Sequence, residues 1–313
     1  MQEVFLILVG LIGLWLGTEL VIKGAVNIAE YYNLSKLFVG LAILSIGTDL
    51  PEIVIAINAS LHNAIANTDT SGIIIGNAIG SSISQISIVL GSVGLFGYLT
   101  LKKRHLFEDG VMLLGSVLLV VLLGLDGKIT RIDGIVLVVV YLIYYFRLFR
   151  QERVGKKIKK EFSKHIQKDI VLLIIGIIIV IFTSELVVDN SISFAENFGI
   201  RQSFVGIIII GLGTSLPELA LALNALQKKE SGLSVGNLIG SNIFDILIPV
   251  GMGATISELK IEKSLLLFDL PFLFILSFIV LFFFYKKKGL QKMEAAILIC
   301  IFIIYTLLKI LGV

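Results

Sequence analysis

The sequence predicts an all-α integral membrane protein with ten transmembrane helices, arranged as two five-helix repeats of inverted topology. Three observations lead to this prediction. Of the 313 residues, 57% are apolar and only 16% are charged, and the mean hydropathy is +1.00, which is more apolar surface than a soluble domain of this size could bury. The apolar residues are gathered in runs of membrane-spanning length. Two motifs also recur, once in each half of the chain.

Ten apolar runs are long enough to cross the hydrocarbon core of a bilayer, which takes about 20 helical residues. They cover residues 3–24, 36–60, 72–98, 108–125, 132–149, 168–190, 202–226, 232–255, 264–285 and 293–311. Five runs fall in each half. We therefore expect a first repeat at 1–150, a basic linker at 151–167 and a second repeat at 168–313.

The distribution of Lys and Arg predicts the face of the membrane on which each loop lies. With ten helices the loops form two sets, and 20 of the 26 basic residues belong to the set that includes the linker 151–167. Cytoplasmic loops carry such an excess, so we expect the linker in the cytoplasm and both termini outside a cell membrane. A solvated loop explains the basic run without a nucleic-acid or anionic-lipid patch. Besides inorganic cations, the only expected binding partner is membrane lipid. We expect no nucleic acid and no obligatory protein partner.

The two halves can be aligned directly. A shift of 166 residues places Glu52 on Glu218, and beyond these positions a shift of 160 places Ser81 on Ser241. The six extra residues of the first half are expected in the loop around 62–71. Five helices carry the chain to the opposite face, so the second repeat should enter the membrane inverted. Inverted repeats are typical of transporters that give alternating access to a site near the midplane.

The first duplicated motif is Gly-Thr-x-Leu-Pro-Glu, at residues 47–52 and 213–218. Its proline lacks an amide hydrogen and clashes with the preceding turn, so each copy should break its helix near the membrane centre. The break frees the backbone carbonyls of Ser45 and Gly211 to bind a cation. The side chains that would add oxygen ligands around the two breaks are Thr48, Thr214, Ser215, Glu52 and Glu218.

The second duplicated motif is Gly-Asn-x-Ile-Gly-Ser, at residues 76–81 and 236–241. Its glycines are spaced as in the small-xxx-small pairs that let two helices approach closely. The motif serine shares a helix face with the residue four positions later, which is Gln85 in the first half and Asp245 in the second. An unpaired carboxylate at this depth is costly, which argues for a functional role. The asparagines expected to hydrogen-bond the broken helix ends instead of an ion are Asn77, Asn237 and Asn242.

The expected pocket is lined with hard oxygen donors, without a contribution from His or Cys. Such ligands suit Na⁺, Ca²⁺, Mg²⁺ or Mn²⁺ and argue against Zn²⁺ or Cu⁺. We therefore expect a transporter of inorganic cations that is not an enzyme and needs no cofactor. A cation channel would normally need several subunits around its acidic rings. An intramembrane aspartyl protease would need two aspartates poised as an acid–base pair, and Asp49 and Asp245 lack a recognisable protease context.

The duplicated motifs resemble the two alpha repeats of the calcium/cation antiporter superfamily, specifically its sodium/calcium exchanger branch, over essentially the whole chain. The resemblance implies exchange of Ca²⁺ for Na⁺ at a diamond of four ion sites, with the first and sixth helices sliding as a gate. The residues that match its central calcium site are Glu52, Glu218, Thr48, Thr214 and the carbonyls of Ser45 and Gly211. The residues that match its flanking sodium sites and middle position are Ser81, Ser241, Ser215 and Asp245.

Two residues depart from the commonest pattern of this branch. Asp49 stands where the usual residue is Ser, and Gln85 stands where it is Asn. Asp49 brings the carboxylates of the pocket to four, and one Ca²⁺ neutralises only two of them. Either protons compensate the remaining charge or the site binds more positive charge than a standard exchanger does. A proton-coupled exchanger, or one selective for Mg²⁺ or Mn²⁺, therefore stays open as an alternative of the same fold.

Overall fold

The computed structural model describes residues 2–31, 45–66, 68–101, 103–151, 166–229, 231–287 and 289–312, which are almost entirely helical. The described segments form fourteen α-helices: α1 (Gln2–Tyr31), α2 (Ser45–Thr48), α3 (Leu50–Ala66), α4 (Ser71–Ser84), α5 (Leu90–Phe96), α6 (Lys103–Leu123), α7 (Arg131–Gln151), α8 (Ile166–Phe198), α9 (Gln202–Phe204), α10 (Gly211–Thr214), α11 (Leu216–Gln227), α12 (Ser231–Ile256), α13 (Leu270–Lys287) and α14 (Lys292–Ile310). Three π-helical segments join or extend them: Gln85–Val89 between α4 and α5, Val205–Ile210 between α9 and α10, and Leu265–Asp269 before α13.

Eight helical stretches among the described residues are long and apolar enough to cross a membrane: Gln2–Ile28, Ser71–Phe96, His105–Leu123, Ile166–Phe198, Gln202–Gln227, Ser234–Ile256, Leu265–Lys286 and Lys292–Ile310. The predicted span 36–60 lies partly outside the described residues. The predicted span 132–149 corresponds to α7, a helix of 21 residues with charged side chains near both ends that is not among the eight. The chain is thus a membrane protein that crosses the bilayer several times.

Both helices that carry the duplicated proline are interrupted. The first break is at Asp49, between α2 and α3, and the second is at Ser215, between α10 and α11. Each break falls two residues before the proline, Pro51 or Pro217, because proline cannot donate the amide hydrogen that would continue the helix. The predicted interruptions are therefore confirmed.

Five of the six extra residues of the first half lengthen a helix, and only one lies in the loop. Helix α3 has 17 residues and its counterpart α11 has 12, and only four residues separate α3 from α4. The prediction of an enlarged loop around 62–71 is wrong, because residues 60–66 contain neither Gly nor Pro and simply continue the helix.

Helices α1 and α8, the first helix of each half, pack against each other in antiparallel orientation. A Cβ atom at Gly24 would lie 2.6 Å from the carbonyl oxygen of Asp169, near the start of α8, whereas Gly10 meets Val187 near its other end. The Nδ2 of Asn27 donates a hydrogen bond of 2.7 Å to Asp169 Oδ1. The glycines let the two backbones approach closely, as is usual for helix pairs in membranes.

Helix α4 packs against the interrupted helix of the other half. A Cβ atom at Gly76 would lie 2.7 Å from the carbonyl oxygen of Ser203, and one at Gly211 would lie 2.6 Å from the amide nitrogen of Ser81. The motif of one half thus touches the broken helix of the other.

Two short backbone ladders also join the halves. Strand β1 (Lys128–Ile129) pairs antiparallel with β2 (Leu259–Lys260), and Leu99 exchanges two backbone hydrogen bonds with Leu290. Both contacts hold a connecting segment of one half against a connecting segment of the other.

Candidate cation site

The predicted side-chain ligands are all buried. Each is at most 2% exposed: Thr48, Asp49, Glu52, Ser81, Gln85, Thr214, Ser215, Glu218, Ser241 and Asp245. Gly211 is buried as well, and its carbonyl oxygen accepts a hydrogen bond of 2.7 Å from the Ser215 hydroxyl. Ser45 begins α2, and its role as a carbonyl ligand stays a prediction.

Ser81 connects three of the helices that meet at the site. Its hydroxyl donates a hydrogen bond of 3.0 Å to Glu52 Oε1 on α3 and lies 3.2 Å from the hydroxyl of Ser215 at the second break. It also accepts a hydrogen bond of 3.1 Å from Gln85 Nε2, one turn along the same helix. A single buried hydroxyl therefore ties the second motif of the first half to the first motif of both halves.

Gln85 bridges the two halves. Its Nε2 donates to Asp245 Oδ2 at 2.9 Å, and its Oε1 accepts from Asn242 Nδ2 at 2.8 Å. The longer side chain thus fills the position between Ser81 and Asp245 with a fixed amide. Asn242 was expected at a broken helix end, and it holds Gln85 instead. Asn77 does meet a broken end, because its Oδ1 accepts from the Thr214 hydroxyl at 3.3 Å.

Four carboxylates lie close enough for their charges to interact. Asp49 interacts with Glu218 and Glu52, and Glu218 also interacts with Asp245. Among the described residues, both oxygens of Asp49 and of Glu218, and one oxygen each of Glu52 and Asp245, form no hydrogen bond of good geometry, although Asp49 lies beside Ser241 and Glu218. Within the same segments no Lys, Arg or His forms an ion pair with any of them. Buried charge without compensation is strongly unfavourable, so these oxygens fit a site that receives cations or protons.

The donor set is mixed and not purely acidic. In the described part of the chain, no group of three or more His, Cys, Asp or Glu side chains has the arrangement of a metal centre. A cation at this site would need hydroxyl, amide and carbonyl oxygens beside the carboxylates. Hard cations accept such ligands, and a transported ion must be released again, which a tighter, purely acidic cage would hinder.

One neighbour of the site was not expected from the sequence. Tyr141 on α7 is buried, packs edge-on against Phe244 with ring centroids 5.2 Å apart, and interacts electrostatically with Asp49 and Asp245. The sequence offers no signal for it, because a tyrosine in an apolar run is common near membrane interfaces.

Comparison with known proteins places these features in a family. The sequence profile described as sodium/calcium exchanger protein matches residues 3–150 and 168–311. An uncharacterised membrane protein of Methanocaldococcus jannaschii is 32% identical over 300 residues, which are 95% of this chain and 94% of that protein. The sodium/calcium exchanger MaX1 of Methanosarcina acetivorans is 26% identical over 342 residues, with 96% of each chain covered.

A solved structure has the same fold. The sodium-calcium exchanger NCX_Mj, soaked with 10 mM Na⁺ and zero Ca²⁺, superposes with a TM-score of 0.68 at 31% identity, over 96% of this chain and 97% of that one. The profile covers both halves and leaves out only the chain ends and the predicted linker. The chain therefore belongs to the sodium/calcium exchanger family of cation transporters.

Proposed function

We propose that the protein is a secondary active antiporter that exchanges Ca²⁺ for Na⁺ by alternating access. The observation that carries this proposal is the cluster of four buried carboxylates, contributed by both halves, whose free oxygens lack partners among the described residues. Two relatives support the choice of ions. MaX1 is named a sodium/calcium exchanger, and NCX_Mj is a sodium-calcium exchanger whose structures were obtained in Na⁺ and Sr²⁺.

Glu52 and Glu218 are the proposed central ligands of Ca²⁺. The proposed ligands around them are Thr48, Thr214, Ser45, Gly211, Ser81, Ser241, Ser215, Asp49, Gln85 and Asp245. The Ser81 hydroxyl already contacts both Glu52 and Ser215, so ions bound on either side of it share oxygen donors. Ca²⁺ and Na⁺ therefore compete, and only one set of ions is carried in each direction.

The architecture proposed for this function has ten spans in two inverted repeats. The antiparallel packing of α1 against α8 supports the inversion, because the first helices of the two halves run in opposite directions. The excess of basic residues supports an orientation with residues 151–167 in the cytoplasm and both termini outside.

The test is Ca²⁺ uptake into proteoliposomes loaded with Na⁺. We expect fast uptake while Na⁺ can leave down its gradient, and much slower uptake when both sides hold equal Na⁺ and only the Ca²⁺ gradient drives exchange. Glu218→Gln is the negative control, because it removes one charge at nearly constant shape. Uptake that ignores the Na⁺ gradient would contradict Na⁺/Ca²⁺ exchange.

The buried carboxylate of Asp49 favours a second candidate function for a protein of this fold. Its carboxylate is completely buried and forms no hydrogen bond of good geometry in the described segments, so it adds a negative charge that Ca²⁺ alone does not balance. The alternative is an exchanger coupled to H⁺, or one that prefers Mg²⁺ or Mn²⁺. The same vesicles with a proton gradient, or with Mg²⁺ or Mn²⁺ as competitor, separate these alternatives from Na⁺/Ca²⁺ exchange.

A further inference from the structure

Two helix interfaces occupy corresponding positions in the two halves but differ in packing. The 166-residue shift relates the interface of α3 with α8 to that of α11 with α1. Helix α3 packs closely along α8, whereas α11 makes few contacts with α1. Because α1 and α8 are antiparallel, the two interfaces lie at opposite ends of this helix pair.

The interface between α3 and α8 is closed by two side-chain contacts. The Nδ2 of Asn58 donates hydrogen bonds to the Ser184 hydroxyl and to the carbonyl oxygen of Ile181. One turn along α3, His62 Nε2 lies 3.0 Å from Asp189 Oδ1. This contact is a hydrogen bond when the imidazole is neutral and an ion pair when it is protonated. We call these two contacts the latch.

The corresponding interface, between α11 and α1, contains a cavity of about 400 Å³. Asn224, the counterpart of Asn58, lines this cavity. Thr18, the counterpart of Ser184, is fully buried, and its hydroxyl has no hydrogen-bond partner among the residues that the structure describes. The hydrogen bond that closes the first interface therefore has no counterpart in the second.

The charged residues of the two interfaces explain why only one of them is latched. The position of His62 is taken in the second half by Lys228, and the position of Asp189 is taken by Lys23 in the first. Two lysines repel each other, so they cannot form the contact that His62 and Asp189 make. The difference between these side chains thus favours closure of the α3–α8 interface over closure of the α11–α1 interface.

One end of the cavity lies beside the start of α11. Pro217 lines its inner end, and the next residue is Glu218, whose two oxygens lack partners in the described part of the chain. Glu19 also lines the cavity, one helical turn deeper along α1 than Lys23. At about 30 Å³ for each water molecule, the space holds roughly a dozen waters, enough for a cation with its first hydration shell.

We infer that this cavity is a vestibule in which a hydrated divalent cation first binds at Glu19 before it reaches Glu218, while the latch keeps the opposite entrance closed. This inference rests on the proposed function for the identity of its ligand. In the proposed orientation the vestibule opens to the cytoplasm, because Asn27 at its rim contacts Asp169, near the start of α8, where the linker ends.

Cysteine labelling tests the geometry without any transport measurement. Cys300 is free and exposed, so the background variant is Cys300→Ser. The reporters are Ala220→Cys, in the cavity wall, and Val54→Cys, its counterpart on α3. With a charged, membrane-impermeant thiol reagent we expect Ala220→Cys to react from the cytoplasmic face at least about tenfold faster than Val54→Cys reacts from the outside. Equal rates at the two reporters would overturn the inference.

Breaking the latch tests its role. Asp189→Ala should raise the reactivity of Val54→Cys from the outside about fivefold, since a partly exposed pair with an adjacent hydrogen bond shifts a two-state equilibrium by about that factor. His62→Ala should give the same change, because it removes the other side of the same contact. No change in either variant would show that the contact does not hold the entrance shut.

The role of Glu19 has a matched control in Glu185, its counterpart in α8. Because a carboxylate in a cleft attracts cations and raises their rate of association at low salt, Glu19→Gln should raise the apparent KM for Ca²⁺ about threefold or more at the cytoplasmic face only. Glu185→Gln should leave that value unchanged. Equal KM changes at both faces, or none, would contradict the vestibule. Asymmetric labelling without any Ca²⁺ exchange would instead refute the proposed function and leave the cavity's geometry intact.

Discussion

Replacing Asp49 by asparagine should change how many monovalent ions are exchanged for each Ca²⁺. The variant removes one of four buried carboxylates and keeps the shape of the side chain. Two unit charges 5 Å apart interact with about 3 kcal/mol at an effective dielectric constant of 20, and both Glu52 and Glu218 act on Asp49. A repulsion of this size requires a compensating Na⁺ or H⁺, which Asp49→Asn makes unnecessary.

The expected change in the limiting Ca²⁺ gradient follows from the loss of one monovalent cation from each exchange cycle. Each monovalent cation that moves down a tenfold gradient supplies about 1.4 kcal/mol, which corresponds to a factor of ten in the Ca²⁺ gradient that it can sustain. With one monovalent ion fewer, and at zero membrane potential, the Ca²⁺ gradient at which net flux stops should fall about tenfold.

The assay measures that null point in proteoliposomes whose potential is held at zero by equal K⁺ and valinomycin. Asp126→Asn, in an exposed loop, is the matched control and should leave the null point unchanged. Asp49→Ser, which recreates the residue found at Ser215, should behave as Asp49→Asn does. An active Asp49→Asn protein with the null point of the original protein would refute the reasoning.

Three further changes have defined outcomes. Glu52→Gln should lower the exchange rate about a hundredfold, because loss of a charged ligand costs at least about 2–3 kcal/mol. Tracer Ca²⁺ flux measures this rate, and a rate within threefold of the original would contradict the role of Glu52 as a ligand. Gln85→Leu should lower Tm by several degrees, since Asp245, Ser81 and Asn242 each lose a hydrogen bond. Each such loss costs about 1–3 kcal/mol when the partner stays buried. An unchanged Tm in a thermal melt would argue against the bridge that Gln85 forms between the two halves. Gly76→Ala should destabilise the protein by about 1–3 kcal/mol, because its Cβ would approach the Ser203 carbonyl oxygen, whereas Gly115→Ala, with open space around it, should not lower Tm.

The parts of the fold that sequence predicted well depend on local chemistry. Pro51 and Pro217 interrupt their helices wherever tertiary contacts place them, because the missing amide hydrogen is a property of the residue itself. The glycines of the second motif likewise indicated close helix packing, and Gly76 and Gly80 make it. The prediction of a longer loop before α4 was wrong, because a shift in an alignment does not say whether inserted residues form a loop or lengthen a helix.

The site was only partly predictable for a different reason. Burial of the carboxylates follows from their place in apolar runs, but the partners of Gln85 come from a helix about 160 residues away. Asn242 and Asp245 could each have bonded elsewhere, and only their position in space selects Gln85. The sequence does not link His62 to Asp189 for the same reason, since each is unremarkable until α3 and α8 meet.

The contacts between Leu99 and Leu290, and between Gly76 and Ser203, also constrain how the protein is made. Each joins residues from different halves, so the helices of the first half reach the membrane before their partners exist. Ribosomes add about 5–20 residues per second, and the second half therefore arrives some 10–30 seconds later. During that interval Asp49 and Glu52 must wait in the bilayer without Glu218 and the helices that enclose them. The buried carboxylates of the first half are therefore least shielded during synthesis, before the second half packs around them.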